Sequence, residues 1–170
     1  MSERFATVQV GTVGTLVVAA DARGVYLCDW LHGRHDLSVV RESVDGDSIV
    51  SEAVRQLREY LDGQRREFTV PLNPGGTAFQ RIVWDALRGI PYGSTTTYSQ
   101  VAAAIGRPTA VRAVATAIAA NPLSILIPCH RVLPANGSVG HYAGHPAAKR
   151  LLLRLEAAAN RPELQSLSVR

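Results

Sequence analysis

The sequence predicts an α/β chain of the α+β kind: a small antiparallel sheet with one helix, then a mostly helical half carrying a helix-turn-helix. Three observations carry this expectation. Residues 5–30 hold three short segments rich in Val, Leu and aromatics, punctuated by Gly and Asp. Asn73-Pro74-Gly75-Gly76 reads as a linker. Beyond it, apolar residues recur at helical spacing between capping residues and Gly or Pro stops. The expected division is an N-terminal domain over 1–75 and a C-terminal domain over 76–170.

In order, Phe5–Val10, Thr15–Ala20 and Val25–Trp30 are expected strands, with turns at Gly11, Gly14, Asp21 and Gly24. The polar stretch His32–Asp47 reads as an irregular loop. Ile49–Asp62 places Val50, Ala53, Val54, Leu57, Tyr60 and Leu61 on one helical stripe that stops at Gly63. Glu67–Leu72 reads as one more strand. Thr77 can cap a helix whose apolar face is Phe79, Ile82, Val83, Ala86 and Leu87, closed by Ile90-Pro91-Tyr92-Gly93. Tyr98–Ile105 and Ala110–Ala120 are two further helices, separated by Gly106-Arg107-Pro108 and capped by Thr109, which fits a helix-turn-helix. Asn121-Pro122 ends the second; a buried apolar run, Ile125–Cys129, a Gly-containing loop and a helix from about Ala147 follow.

Composition narrows the function classes. The chain has 170 residues, 46% of them hydrophobic, enough to bury a core. Its richest apolar region is broken by Asn121, Pro122 and Pro128, so no membrane span is expected, and Met1-Ser2-Glu3-Arg4-Phe5 lacks a secretory apolar segment. Two cysteines without zinc-type spacing build neither a disulfide framework nor a metal site, which points to a reducing cytoplasm. The net charge of +4 is uneven: residues 1–75 carry 8 Lys/Arg against 11 Asp/Glu, residues 76–170 carry 10 against 3. The basic half is where a polyanion would be met.

Cys129 and His130 stand at the exit of the apolar run. A thiol is a nucleophile as thiolate, so it needs a base or a positive field, and His130 with Arg131 can supply both. Neighbours in an extended chain point to opposite faces, so direct contact needs a tight turn after Cys129 or a bridging water. Glu156 is one of three acids after residue 75, at the edge of the face formed by Ala148, Leu151, Leu152 and Leu155, and can orient the imidazole. On these residues alone, Cys129 could equally be a small buried hydrophobe and His130 its solvated neighbour. Cys28, inside an expected strand with no base nearby, reads as core.

The helix Ala110–Ala120 has one charge, Arg112, and almost no hydrogen-bonding side chains. A major-groove reader would carry Arg, Asn or Gln at several positions. Small residues instead allow close backbone approach, and Arg112 could enter a duplex, which suits binding by shape and distortion. An ordinary buried helix rich in Ala fits the same composition.

Ile127-Pro128-Cys129-His130-Arg131-Val132 resembles the signature of the O6-alkylguanine-DNA alkyltransferase family. The likeness extends through Phe79-Gln80, Val83-Trp84, Ala86-Leu87, Ile90–Gly93, Tyr98, Arg112-Ala113-Val114, Asn121-Pro122, Tyr142-Ala143-Gly144, Leu152 and Glu156, covering nearly all of 77–156. Before residue 75 it rests on strand-strand-strand-helix order and Val13-Gly14-Thr15-Leu16.

The resemblance implies a winged helix-turn-helix and repair of O6-alkylguanine, and of O4-alkylthymine, in duplex DNA, without a cofactor. Cys129 would accept the alkyl group irreversibly, His130 would be its base through water, Glu156 would orient His130, and Asn121 would bridge the recognition helix to the active-site segment. Arg112 would fill the gap of a flipped base, with Tyr98 beside the flipped nucleotide and Thr109, Ala113 and Ala115 at the DNA. Tyr142, Tyr98, Val132 and Ala143 would surround the guanine. Such an acceptor is consumed in one turnover. The expected state is a monomer in solution with room for cooperative assembly on DNA. The chain departs from the family pattern at Ser124, at His141 and at His145, which stands where the tyrosine motif usually has its second glycine; the two histidines are expected to flank the pocket rim as plain surface residues, with a limit on alkyl size as the alternative. A DNA-sensing module with an incidental Cys129, and a cysteine hydrolase, are the rivals.

Overall fold

The computed structural model describes residues 4–31 and 48–160; the expected loop His32–Asp47 lies outside them. Strands β1 (Arg4–Val10), β2 (Gly14–Asp21) and β3 (Gly24–Trp30) form an antiparallel meander in the order β1-β2-β3. Register pairs Thr7 with Val17 and Val18 with Cys28, and shifts at Ala19/Ala20. Helix α1 (Ile49–Leu61) starts where the Ser48 hydroxyl accepts from the Ser51 N–H. It lays Val50, Ala53, Val54, Leu57 and Tyr60 against the sheet, as its stripe foretells.

Glu67–Leu72 is not a strand. Pro71 has no N–H to give a ladder, and the Thr69 and Val70 N–H groups donate to the buried Gln56 side chain instead. Only Leu72 bridges β3, with the Val25 N–H on the Pro71 carbonyl and the Asn73 N–H on that of Val25.

Helix α2 (Ala78–Arg88) opens with a reciprocal capping box between Thr77 and Gln80, and α3 (Tyr98–Ala104) with another between Thr97 and Gln100. Each cap stabilises its helix by about 1 kcal/mol. Helix α4 (Val111–Ala119) completes the helix-turn-helix with α3. Its cap is not Thr109. A turn closed by the Ala110 N–H on the Arg107 carbonyl carries the chain one residue further, so Ala110 occupies the cap position without a side-chain bond and Thr109 is left exposed. The Trp84 indole N–H donates to the Ala117 carbonyl at 2.8 Å and locks α2 to α4.

Strands β4 (Thr96–Thr97) and β5 (Val132–Leu133) pair in parallel. Helix α5 (His145–Ala159) begins two residues earlier than expected, with a proline in its first turn. One contiguous apolar core runs from the sheet into the helical half. They are stitched where the Cys28 N–H donates to the Pro122 carbonyl and its carbonyl accepts from Ser124. Among the described residues, no helix is long and apolar enough to cross a membrane.

Candidate active site

Between α4 and the reactive segment the chain reverses tightly. The Asn121 side chain donates to the Ile127 carbonyl at 3.0 Å and accepts the Leu123 N–H at 3.0 Å, clamping the two ends of the reversal. Ile125 inside it has φ +71, a left-handed conformation costly for a β-branched residue and maintained here by complete burial. The turn delivers Pro128 and Cys129 to the base of α4.

Cys129–Arg131 form a single 3₁₀ turn, closed by the Arg131 N–H on the Pro128 carbonyl. The backbone therefore turns tightly after Cys129, and the His130 ring is directed to Glu156. His130 Nε2 lies 2.7 Å from Glu156 Oε1, both residues being essentially inaccessible. Glu156 is the hub of the site. Oε1 also accepts from the Tyr60 hydroxyl at 2.6 Å and Arg131 Nη2 at 2.9 Å; Oε2 accepts from Arg131 Nε at 3.0 Å and the Gly93 N–H at 3.2 Å. Gly93 has φ +78, and a Cβ there would collide with the Asn160 side chain, so the close N–H contact needs glycine.

Burial alone would push the Glu156 carboxyl up, but hydrogen bonds from His130, Arg131 and Tyr60 outweigh it and bring it to about 2. Burial holds His130 below its usual range against the pull of that carboxylate. The imidazole is therefore neutral, with its proton on Nε2 toward the carboxylate. Its other nitrogen, Nδ1, is buried and has no hydrogen-bond partner among the described residues, leaving a lone pair free to take a proton.

Burial likewise pushes the Cys129 thiol up, opposed by the nearby Asn121 amide and the Lys149 charge. At rest the sulfur is a thiol, and ionisation has to be coupled to proton removal. Lys149 was not foreseen. It is fully buried, its ammonium donates to the Val132 carbonyl at 2.7 Å, and burial lowers its affinity for a proton. Its spacing from Leu152 and Glu156 on α5 is the signal that places all three on one face.

Cys129 opens into a cavity of about 550 Å³ lined by Tyr98, Ala115, Asn121, His141, Tyr142 and Ala143, among others. Val132 is not part of this lining; it is fully buried, and its carbonyl accepts from Lys149. His141 reaches the lining, whereas His145 sits exposed at the start of α5 with φ +79 and does not. Tyr142 is held from the sheet side: the Trp30 indole N–H donates to its hydroxyl at 3.3 Å and the rings meet edge to face. A Cβ on Gly144 would come within 2.4 Å of that indole, so glycine is what lets the loop lie on Trp30. Thr116 and Ala119 continue from the cavity onto α4, where Arg112 and Ala113 are exposed.

Two family models match the chain: "6-O-methylguanine DNA methyltransferase, ribonuclease-like domain" over residues 11–74, and the same family's "DNA binding domain" over residues 78–158. The methylated-DNA–protein-cysteine methyltransferase of Methanosarcina acetivorans is 41% identical over 146 residues, 86% of this chain and 94% of the relative. The crystal structure of Mycobacterium tuberculosis O6-methylguanine methyltransferase superposes with a TM-score of 0.83 at 36% identity, covering 98% of this chain and 99% of that one. The M. tuberculosis OGT in complex with DNA gives 0.81 at 36% identity, covering 96% and 99%. This chain belongs to the 6-O-methylguanine DNA methyltransferase family.

Proposed function

We infer that this chain repairs DNA by direct reversal, moving an alkyl group from O6 of guanine to the sulfur of Cys129. The observation that carries this reading is the buried Cys129-His130-Glu156 arrangement at the floor of a cavity that opens beside the helix-turn-helix. A guanine in the stack hides its O6 substituent, so it must be flipped out to reach a buried thiol. Arg112, exposed near the start of α4, is suited to fill the space the base leaves, and the small side chains of Ala113 and Ala115 allow close approach to the duplex. Tyr98, Tyr142 and Ala143 then surround the purine.

His130 Nδ1 takes the thiol proton, directly or through one water, and Glu156 stabilises the imidazolium that forms. The sulfur attacks the alkyl carbon; an S–C bond forms, the C–O6 bond breaks, and the electron pair leaves with guanine, which recovers a proton. The carbon centre migrates without oxidation or reduction, and no cofactor enters. A thioether carbon bears only a poor thiolate leaving group, so the product is inert and each molecule acts once. O4-alkylthymine presents the same alkyl–oxygen chemistry in a smaller base, and His141, which lines the cavity, would limit the largest alkyl group admitted.

A monomer in a reducing cytoplasm fits this chemistry, because Cys28 and Cys129 are both free thiols. Cooperative assembly on DNA would appear as a steepened binding curve. The direct test is incubation with duplex carrying O6-methylguanine, followed by intact-mass analysis and peptide mapping. A gain of one methyl on Cys129, absent from Cys129→Ser, is expected. Unmodified thiol in folded wild-type protein rejects the assignment.

A further inference from the structure

Among the described residues, the sheet-bearing half reaches the His130–Glu156 pair by hydrogen bond through Tyr60, in the last turn of α1. Its ring is fully buried, fixed by Phe68 at 5.4 Å and by Tyr92 edge-on at 6.0 Å. Packing alone would be served by phenylalanine; a buried hydroxyl needs an acceptor, and the one it has is Glu156 Oε1 at 2.6 Å. That oxygen is the one facing His130 Nε2, and the hydroxyl lies 3.5 Å from Nε2 itself. The other ionisable groups around the pair are Arg131 on the carboxylate, Tyr92 from the turn after α2, Cys129, and Lys149 from α5.

We propose that Tyr60 is a positioning residue for alkyl transfer: its phenol holds Glu156 Oε1 opposite His130 Nε2 and shares the carboxylate's charge, which fixes the imidazole tautomer and restrains its basicity. The α1 helix thereby contributes to the hydrogen-bonded pair that the helical half builds around Glu156. Burial keeps the phenol protonated, so it donates throughout the working pH range. The inference rests on Cys129 being the alkyl acceptor.

The experiment is Cys129 labelling by free O6-benzylguanine across about pH 5 to 9, read by intact mass, in wild type, in Tyr60→Phe and in protein with Tyr60 replaced site-specifically by 3-fluorotyrosine. Without the phenol the carboxylate pulls harder on Nε2–H, His130 becomes more basic, and the low-pH limb of the rate moves up in pH. On that limb Tyr60→Phe labels about tenfold more slowly. The more acidic fluorophenol moves the limb the opposite way and, being nearly isosteric, keeps the fold if Tyr60→Phe does not. Affinity for undamaged duplex stays unchanged in both. Limbs that superimpose, or a uniform loss at every pH, overturn the proposal while leaving the repair reading intact. Absence of labelling in folded wild type, by duplex carrying O6-methylguanine as well as by the free base, removes both.

Discussion

His130 Nε2 and Glu156 Oε1 are 2.7 Å apart with neither residue in contact with solvent. A neutral imidazole against an ionised carboxylate is a polarised pair, and the neighbouring residue in sequence is a thiol that burial keeps protonated. Its energetics extend to stability as well as reactivity.

Glu156 has a folded carboxyl at about 2 against 4.5 unfolded, so its contribution is present above about pH 4.5 and is lost as pH falls toward 2. A depression of that size corresponds to about 3 kcal/mol. His130 is also depressed from 6.5, so the unfolded chain takes up its proton first and stability begins to decline below that pH. Urea midpoints should therefore fall monotonically from neutral pH into acid. Glu156→Gln should cost about 3–5 kcal/mol near neutrality by leaving Arg131 uncompensated, and should flatten the steepest acid segment. A wild-type midpoint independent of pH below 6 contradicts this.

Lys149→Met keeps the buried stem but removes the ammonium from the Val132 carbonyl and the positive charge from Cys129. Iodoacetamide labelling of Cys129 should need a higher pH in the variant, with stability lowered by about 1–3 kcal/mol. An unchanged labelling profile would show that the charge does not reach the sulfur.

Gly144→Ala forces a methyl into the Trp30 indole and should cost about 1–3 kcal/mol while slowing transfer through the displaced Tyr142. In a Trp30→Ala background the same substitution should cost less than about 0.5 kcal/mol. Equal costs in both backgrounds, measured by thermal melts, would mean that the collision is not the cause.

Arg112→Ala should slow repair of lesion-bearing duplex by about tenfold or more, yet leave labelling by free O6-benzylguanine within about twofold, since only duplex requires extrusion of the base. Comparable losses on both substrates would place Arg112 in the chemistry instead.

Much of this molecule is local and was therefore legible in the chain. Strands β1–β3, helices α1–α5 and the capping role of Thr77 follow from alternation, periodicity and capping residues, which act over a few positions. The meeting of Glu156 with His130 is legible from the rarity of acids after residue 75 and from the place of Glu156 at the edge of an apolar face. Two local readings failed: the Thr69 and Val70 amides went to Gln56, thirteen and fourteen residues away, and Thr109 lost its cap to a competing local turn set by Arg107–Ala110. Tyr60, Lys149 and Trp30 read as ordinary core or surface in one dimension. They become part of the site only because packing α1, β3 and α5 around the reactive turn excludes water, and in that low-dielectric space each buried polar group must find its partner across the fold.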